Sequence, residues 1–151
     1  MTARYLAQRS LAVLVLIVTA NASAHHSYGM FDGSQTKTVT GTVAQLEWVN
    51  PHVFLWVYVP NAASETGYDL YAFENGSPNV LRQRGWAKTL FVPGDAVAIT
   101  YWPLRDGRMG GHFAVATRPD GTVIRGAGGP GGDPDVGQAV AAPAAPPADA
   151  P

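Results

Sequence analysis

The chain has 151 residues, ten basic and eleven acidic side chains, four histidines and no cysteine, for a formal net charge of −1. Without a thiol it has neither a cysteine nucleophile nor a disulfide, so a hydrophobic core alone must hold the fold. A near-neutral balance is also a poor match for nucleic acid, whose binding rests on basic residues displacing counterions.

Arg4 and Arg9 precede an apolar run from Leu11 to Val18, and Ala22-Ser23-Ala24 follows. A charged, an apolar and a small-residue region in that order is the layout of a secretory signal with an A-x-A cleavage site. The run is shorter than the roughly 20 apolar residues that a bilayer span needs. Residues 1–24 are therefore read as a signal peptide, with no stable membrane span after cleavage. The protein is expected to be exported, to the periplasm or beyond the cell. Arg4 and Arg9 are not adjacent, which argues against twin-arginine export, and no cysteine is present to carry a lipid. Taking those two arginines from ten basic residues leaves 8 against 11 acids, a net charge of −3. Asp133, Asp135 and Asp149, near the end, account for that deficit.

From Val39 to Val59 the sequence reads VTGTVAQLEWVNPHVFLWVYV. β-branched and aromatic residues alternating at period two predict two strands, about Thr38 to Val49 and His52 to Pro60. Pro51 has no N–H and keeps Asn50 extended, so the ladder must break there and His52 sits at a corner. A third strand is expected over Tyr68 to Glu74. Ser77 then suits a helix cap, Pro78 the first helical position, and Gly85 the stop. Pro93-Gly94 fits the centre of a type II turn leading into a fourth strand, Ala96 to Trp102. Gly110-Gly111 reads as part of a glycine-rich hairpin connection before a fifth strand, His112 to Thr117. Residues 126–151, mostly Gly, Pro and Ala, read as a disordered tail. The folded domain is thus placed at 25–125.

Strand, strand, strand, helix, strand, strand is the layout of an all-β domain with one short helix, a small five-stranded OB-fold-like barrel. Closure would protect the edges of strands this apolar. A small β-sandwich is the alternative.

The candidate chemistry lies in the histidines. Cleavage after Ala24 would make His25 the first residue, so that its free amine and ring nitrogen can close a chelate on one metal ion. A second imidazole would complete a T-shaped nitrogen set of the kind that suits Cu(II), then Zn or Ni. His52, at its corner, is the first candidate for that imidazole and His26 the next. His112 ranks lower because its strand position need not face them. The third mature residue is Ser27, so the chelate that requires histidine there is excluded. A frayed terminus and a turn histidine bonded to a carbonyl are the structural alternatives. Glu74 suits the N–H groups opening the helix better than a cation. Trp48, Trp56, Tyr58, Tyr71, Phe73, Tyr101 and Trp102 are core candidates, some of which can line a groove. The sequence contains no G-x-S-x-G, H-E-x-x-H or phosphate-loop motif, and no enzyme is expected.

Several motifs then recur in a fixed order. They are Ala24-His25-His26-Ser27, Gly41-Thr42-Val43, Trp48 with Asn50-Pro51-His52, Ser77-Pro78 with Leu81, Gly85-Trp86, Pro93-Gly94-Asp95, Pro103-Leu104-Arg105-Asp106-Gly107 and Pro119-Asp120-Gly121. In this the chain resembles a bacterial exported family of unknown function, number 6152. The likeness covers nearly all of the folded part and not the tail. It implies export, matches paired histidines to His25 and His26 and an Asn-Pro-His corner to His52, and brings no activity with it.

The expected function is a non-enzymatic binding module with a copper-type site at His25, His26 and His52. The alternatives are a metal-free domain that offers an aromatic groove to a cell-envelope protein, and an accessory subunit of a periplasmic redox enzyme.

Overall fold

A computed structural model describes residues 28–132. The expected signal peptide, His25 and His26 fall outside the described residues, as does the chain after residue 132. The elements run β1 (Lys37–Glu47), β2 (Phe54–Pro60), β3 (Tyr68–Glu74), α1 (Pro78–Gln83), β4 (Ala96–Pro103), β5 (Gly110–Thr117) and β6 (Val123–Arg125). The strand order is β3-β2-β1-β4-β5-β6, and β3 also pairs with β5, which closes the first five strands into a ring. That added pairing is parallel, whereas the others are antiparallel. The domain is therefore a closed five-stranded mixed barrel with one short helix. β6 is a sixth strand, outside the ring.

The closure depends on two glycines. A Cβ on Gly110 would overlap the Ala72 carbonyl oxygen of β3, and one on Gly111 would overlap the Trp102 carbonyl oxygen of β4. Gly110 also has φ +122°, a region L side chains rarely adopt. The pair read from sequence as loop composition is thus the opening of β5, and its missing side chains let three backbones meet.

The period-two reading holds for β2, where Val53, Leu55 and Val57 are buried and Phe54, Trp56 and Tyr58 are not. In β1 a register shift between Val43 and Gln45 changes which parity faces inward. Val43 belongs to the barrel core and Leu46 and Trp48 pack against it, while Val49 is exposed. Tyr71 and Phe73 point inward from β3, with Phe73 5.0 Å from Tyr101 between ring centroids. The helix starts as its sequence indicates, with Ser77 Oγ accepting from Val80 N–H and Pro78 in the first turn, and it is followed by Gly85 at φ +83°. Leu81, Trp86 and Phe91 place this connection in the core.

A second, smaller cluster covers the outer face of β4 and β5: Phe31, Trp102, Ala114 and Val115, with Leu104 beside it. It explains why every residue of β5 is buried. Two flanking segments cover it. The N-terminal one is fixed by an isolated bridge of Phe31 to Leu104, by Asp32 N–H to the Pro103 carbonyl (2.8 Å) and by Arg105 N–H to the Met30 carbonyl (2.9 Å). The C-terminal one follows β6, and its Gly129 and Gly131 lie against the Trp102 indole. Residues 126–132, which composition groups with the tail, lie along this face. The Trp86 indole N–H and the Arg84 guanidinium hold its start, donating to the Arg125 carbonyl at 2.8 Å and the Gly126 carbonyl at 3.0 Å.

Candidate metal centre

The Asn50–Pro51 peptide is cis, and the chain turns there into β2. Asn75 N–H donates to the Val53 carbonyl (2.9 Å) and Val53 N–H to the Gly76 carbonyl (3.2 Å). These bonds hold the corner against the end of β3, where Phe54 is the register partner of Glu74. His52 Nδ1 lies 2.6 Å from Glu74 Oε1, with 37 % of the histidine side chain and 17 % of the glutamate side chain exposed. A carboxylate only accepts, so Nδ1–H donates to it, and in the neutral ring the lone pair is left on Nε2. A carboxylate behind one ring nitrogen and an available lone pair at the other is the usual support for a metal-binding histidine. Burial pushes the Glu74 carboxyl above its ordinary range, and the neighbouring His52 opposes that shift.

The sequence favoured a different role for Glu74, receiving the N–H groups that open the helix. The capping acceptor is Ser77 instead, and Glu74 turns to His52. Two residues 22 positions apart meet because the β2–β3 register aligns the strand after the corner with the strand before the helix.

On the other side of Glu74 stands His112, its register partner across the parallel β3–β5 seam. The His112 ring lies among Tyr28 (5.0 Å, edge-on), Phe31 (5.2 Å) and Trp102 (6.0 Å). Its Nε2 is 2.7 Å from the Gly128 carbonyl. A carbonyl cannot donate, so Nε2 carries the proton and Nδ1 the lone pair. Nδ1 is buried and has no hydrogen-bond partner. Such a group costs about 1–3 kcal/mol when left unpaired. Burial holds this imidazole below the ordinary histidine range, the bond to Gly128 opposes the shift, and the proximity of His52 adds to it. Sequence reasoning ranked His112 last, because the parallel pairing that sets it beside Glu74 leaves no local signal.

Among the described residues, no three His, Cys, Asp or Glu side chains form a group that could hold a metal ion. His52 and Glu74 are brought together, His112 stands next to them, and the two terminal histidines lie outside the described part. Among the described residues no helix is long and apolar enough to cross a membrane.

A barrel of this order with a histidine–carboxylate pair at its closing seam defines a small β domain. A family model described as a family of unknown function (DUF6152) matches residues 12–113. The chain belongs to that family. The match includes the Asn-Pro-His corner, Glu74 and His112, and stops before β6. No curated protein and no solved structure matches the chain.

Proposed function

We propose that the protein is an exported, non-enzymatic binding module that takes up a metal ion of the copper type. Its donors are the amine and ring of His25, exposed by cleavage after Ala24, together with the imidazole of His52, with His26 as the alternative second ring. The observation that carries the reading is the 2.6 Å contact of His52 Nδ1 with Glu74, which leaves Nε2 as the donor atom on a half-exposed ring. Chain length supports it as well. Tyr28 lies against His112 at this seam, and three residues back to His25 span at most about 11 Å. Amine and imidazole nitrogens favour Cu(II) over harder cations.

Calorimetry with Cu(II) on the protein processed to His25, beside its His52→Ala variant, tests the proposal. One tight equivalent in the parent and weak uptake in the variant is expected. Equal, weak uptake by both discards the site.

One observation favours a second reading. Phe54, Trp56 and Tyr58 stand half-buried along the outer face of β2, with Phe54 and Trp56 at 6.2 Å and Tyr58 at 6.5 Å from Tyr68. Such a row suits a cell-envelope protein docking without metal, or the docking of an accessory subunit on a periplasmic redox enzyme. Acetylating the amine of His25 discriminates, because it disables a chelate that uses the free amine and leaves an aromatic face untouched.

A further inference from the structure

We infer that a second site, independent of the metal reading, lies between the α1–β4 connection and β6 and takes a small apolar carboxylate, held by the guanidinium groups of Arg84 and Arg125.

A cavity of about 360 Å³ opens there, within the size of small-molecule sites. Trp86, Leu90 and Ile124 give it an apolar wall, and Arg84 and Arg125 line the same space. Val123, 45 % exposed, extends the apolar surface along β6. The two arginines lie far apart in sequence and meet through two bonds. The Trp86 indole N–H donates to the Arg125 carbonyl (2.8 Å), and Arg84 donates to the Gly126 carbonyl (3.0 Å). The second bond fixes the Arg84 side chain through one nitrogen and leaves the rest of its planar fork for a ligand.

Neither guanidinium is matched by an acid. The ion pairs among the described residues join His52 to Glu74, Arg105 to Asp32, Arg108 to Asp106 and Arg118 to Asp95, and none includes Arg84 or Arg125. Of the acids on adjoining elements, Asp95 lies 3.8 Å from Arg118 and Asp120 accepts from the Thr122 amide at 2.8 Å. Neither lines the cavity. Uncompensated positive charge beside an apolar wall complements an anion that carries a hydrocarbon body. Guanidinium forks match the two oxygens of a carboxylate, and burying the hydrocarbon against Trp86, Leu90 and Ile124 adds a gain that a bare inorganic anion lacks. A peptide strand suits the place less well. β6 has three residues, and its Arg125 carbonyl is already taken by Trp86, so the edge offers few ladder bonds.

Octanoate is the probe and octanamide its uncharged counterpart, each titrated into nitrogen-15-labelled protein processed to His25. Octanoate should shift the Trp86 indole N–H and the amides of Gly85, Arg125 and Gly126. Octanamide should bind at least about tenfold more weakly, the scale of one hydrogen bond to a charged group. Arg125→Gln should weaken octanoate by a similar factor. Arg125 is exposed and belongs to none of the ion pairs, so the thermal melting of this variant should match that of the parent. Rising salt should weaken octanoate and leave octanamide unchanged. Equal affinities for the two probes, full octanoate affinity in Arg125→Gln, or shifts confined to other parts of the barrel would overturn the inference. Binding of a short apolar peptide with a free C-terminus, with octanoate ignored, would overturn the assignment to a small molecule.

Discussion

Glu74 and His112 are register partners in the one parallel pairing of the barrel, and Glu74 reaches from that position to His52 at 2.6 Å. The carboxylate therefore sets the orientation of the imidazole at the corner. Replacing it should lower Cu(II) affinity in the order parent, Glu74→Gln, Glu74→Ala, with a loss of about ten- to a hundredfold at the end of the series. Glutamine keeps an acceptor oxygen but loses the charge, and alanine loses both. Calorimetry gives the affinities, and circular dichroism should show the same strand content throughout.

Closure predicts a stability effect. Gly110→Ala puts a Cβ onto the Ala72 carbonyl and forces an alanine to φ +122°. Such overpacking costs about 1–3 kcal/mol, and the backbone strain adds to it. Gly67→Ala is the control, because Gly67 also has positive φ but nothing lies within 4 Å of its would-be Cβ. Urea denaturation should show a clearly larger loss for Gly110→Ala.

The barrel interior should be sensitive to alkali. Burial pushes the Tyr101 hydroxyl above its ordinary value of 10.0, and the nearby Tyr71 adds to the shift. A folded-state value raised above the unfolded one means a contribution fully present below about pH 10 and lost as pH rises beyond it. Denaturant midpoints should fall above that pH in the parent and fall less in Tyr101→Phe.

Acid should act on the N-terminal segment. Bonds from the Ser34 hydroxyl, Gln35 and the Ser34 amide, with Arg105 nearby, lower the Asp32 carboxyl from 3.8 to about 2. Because the folded value is depressed, the contribution is present above 3.8 and lost as pH falls through about 2. Amide exchange at Phe31 and Asp32 should accelerate over that window in the parent. In Asp32→Asn the acceleration should be weaker.

The order of the elements and the barrel were legible because each strand carries its own alternation and the helix its own start and stop. What was not legible depends on contacts between distant segments. The β1 bulge exchanges inward and outward residues without altering the count of apolar positions. Gly110 and Gly111 look like loop residues until β3 and β4 are seen pressing on them. β6 is only three residues long and gives no periodic signal. For the site, the break at Asn50-Pro51 marked His52 correctly as a corner residue. Glu74 lies three residues before a helix cap, so local reasoning assigned it there, and only the β2–β3 register reveals its partner. His112 was left aside for the same kind of reason, since the β3–β5 pairing joins residues 38 positions apart.

In the proposed site the amine of His25 and the imidazole of His52 share one metal ion. The most direct measurement is the Cu(II) dissociation constant of the protein beginning at His25 compared with the same protein whose terminal amine is acetylated. Clearly weaker binding is expected for the acetylated protein, since its blocked terminal nitrogen can no longer close a chelate with the His25 ring. Equal dissociation constants for the two proteins would contradict that site.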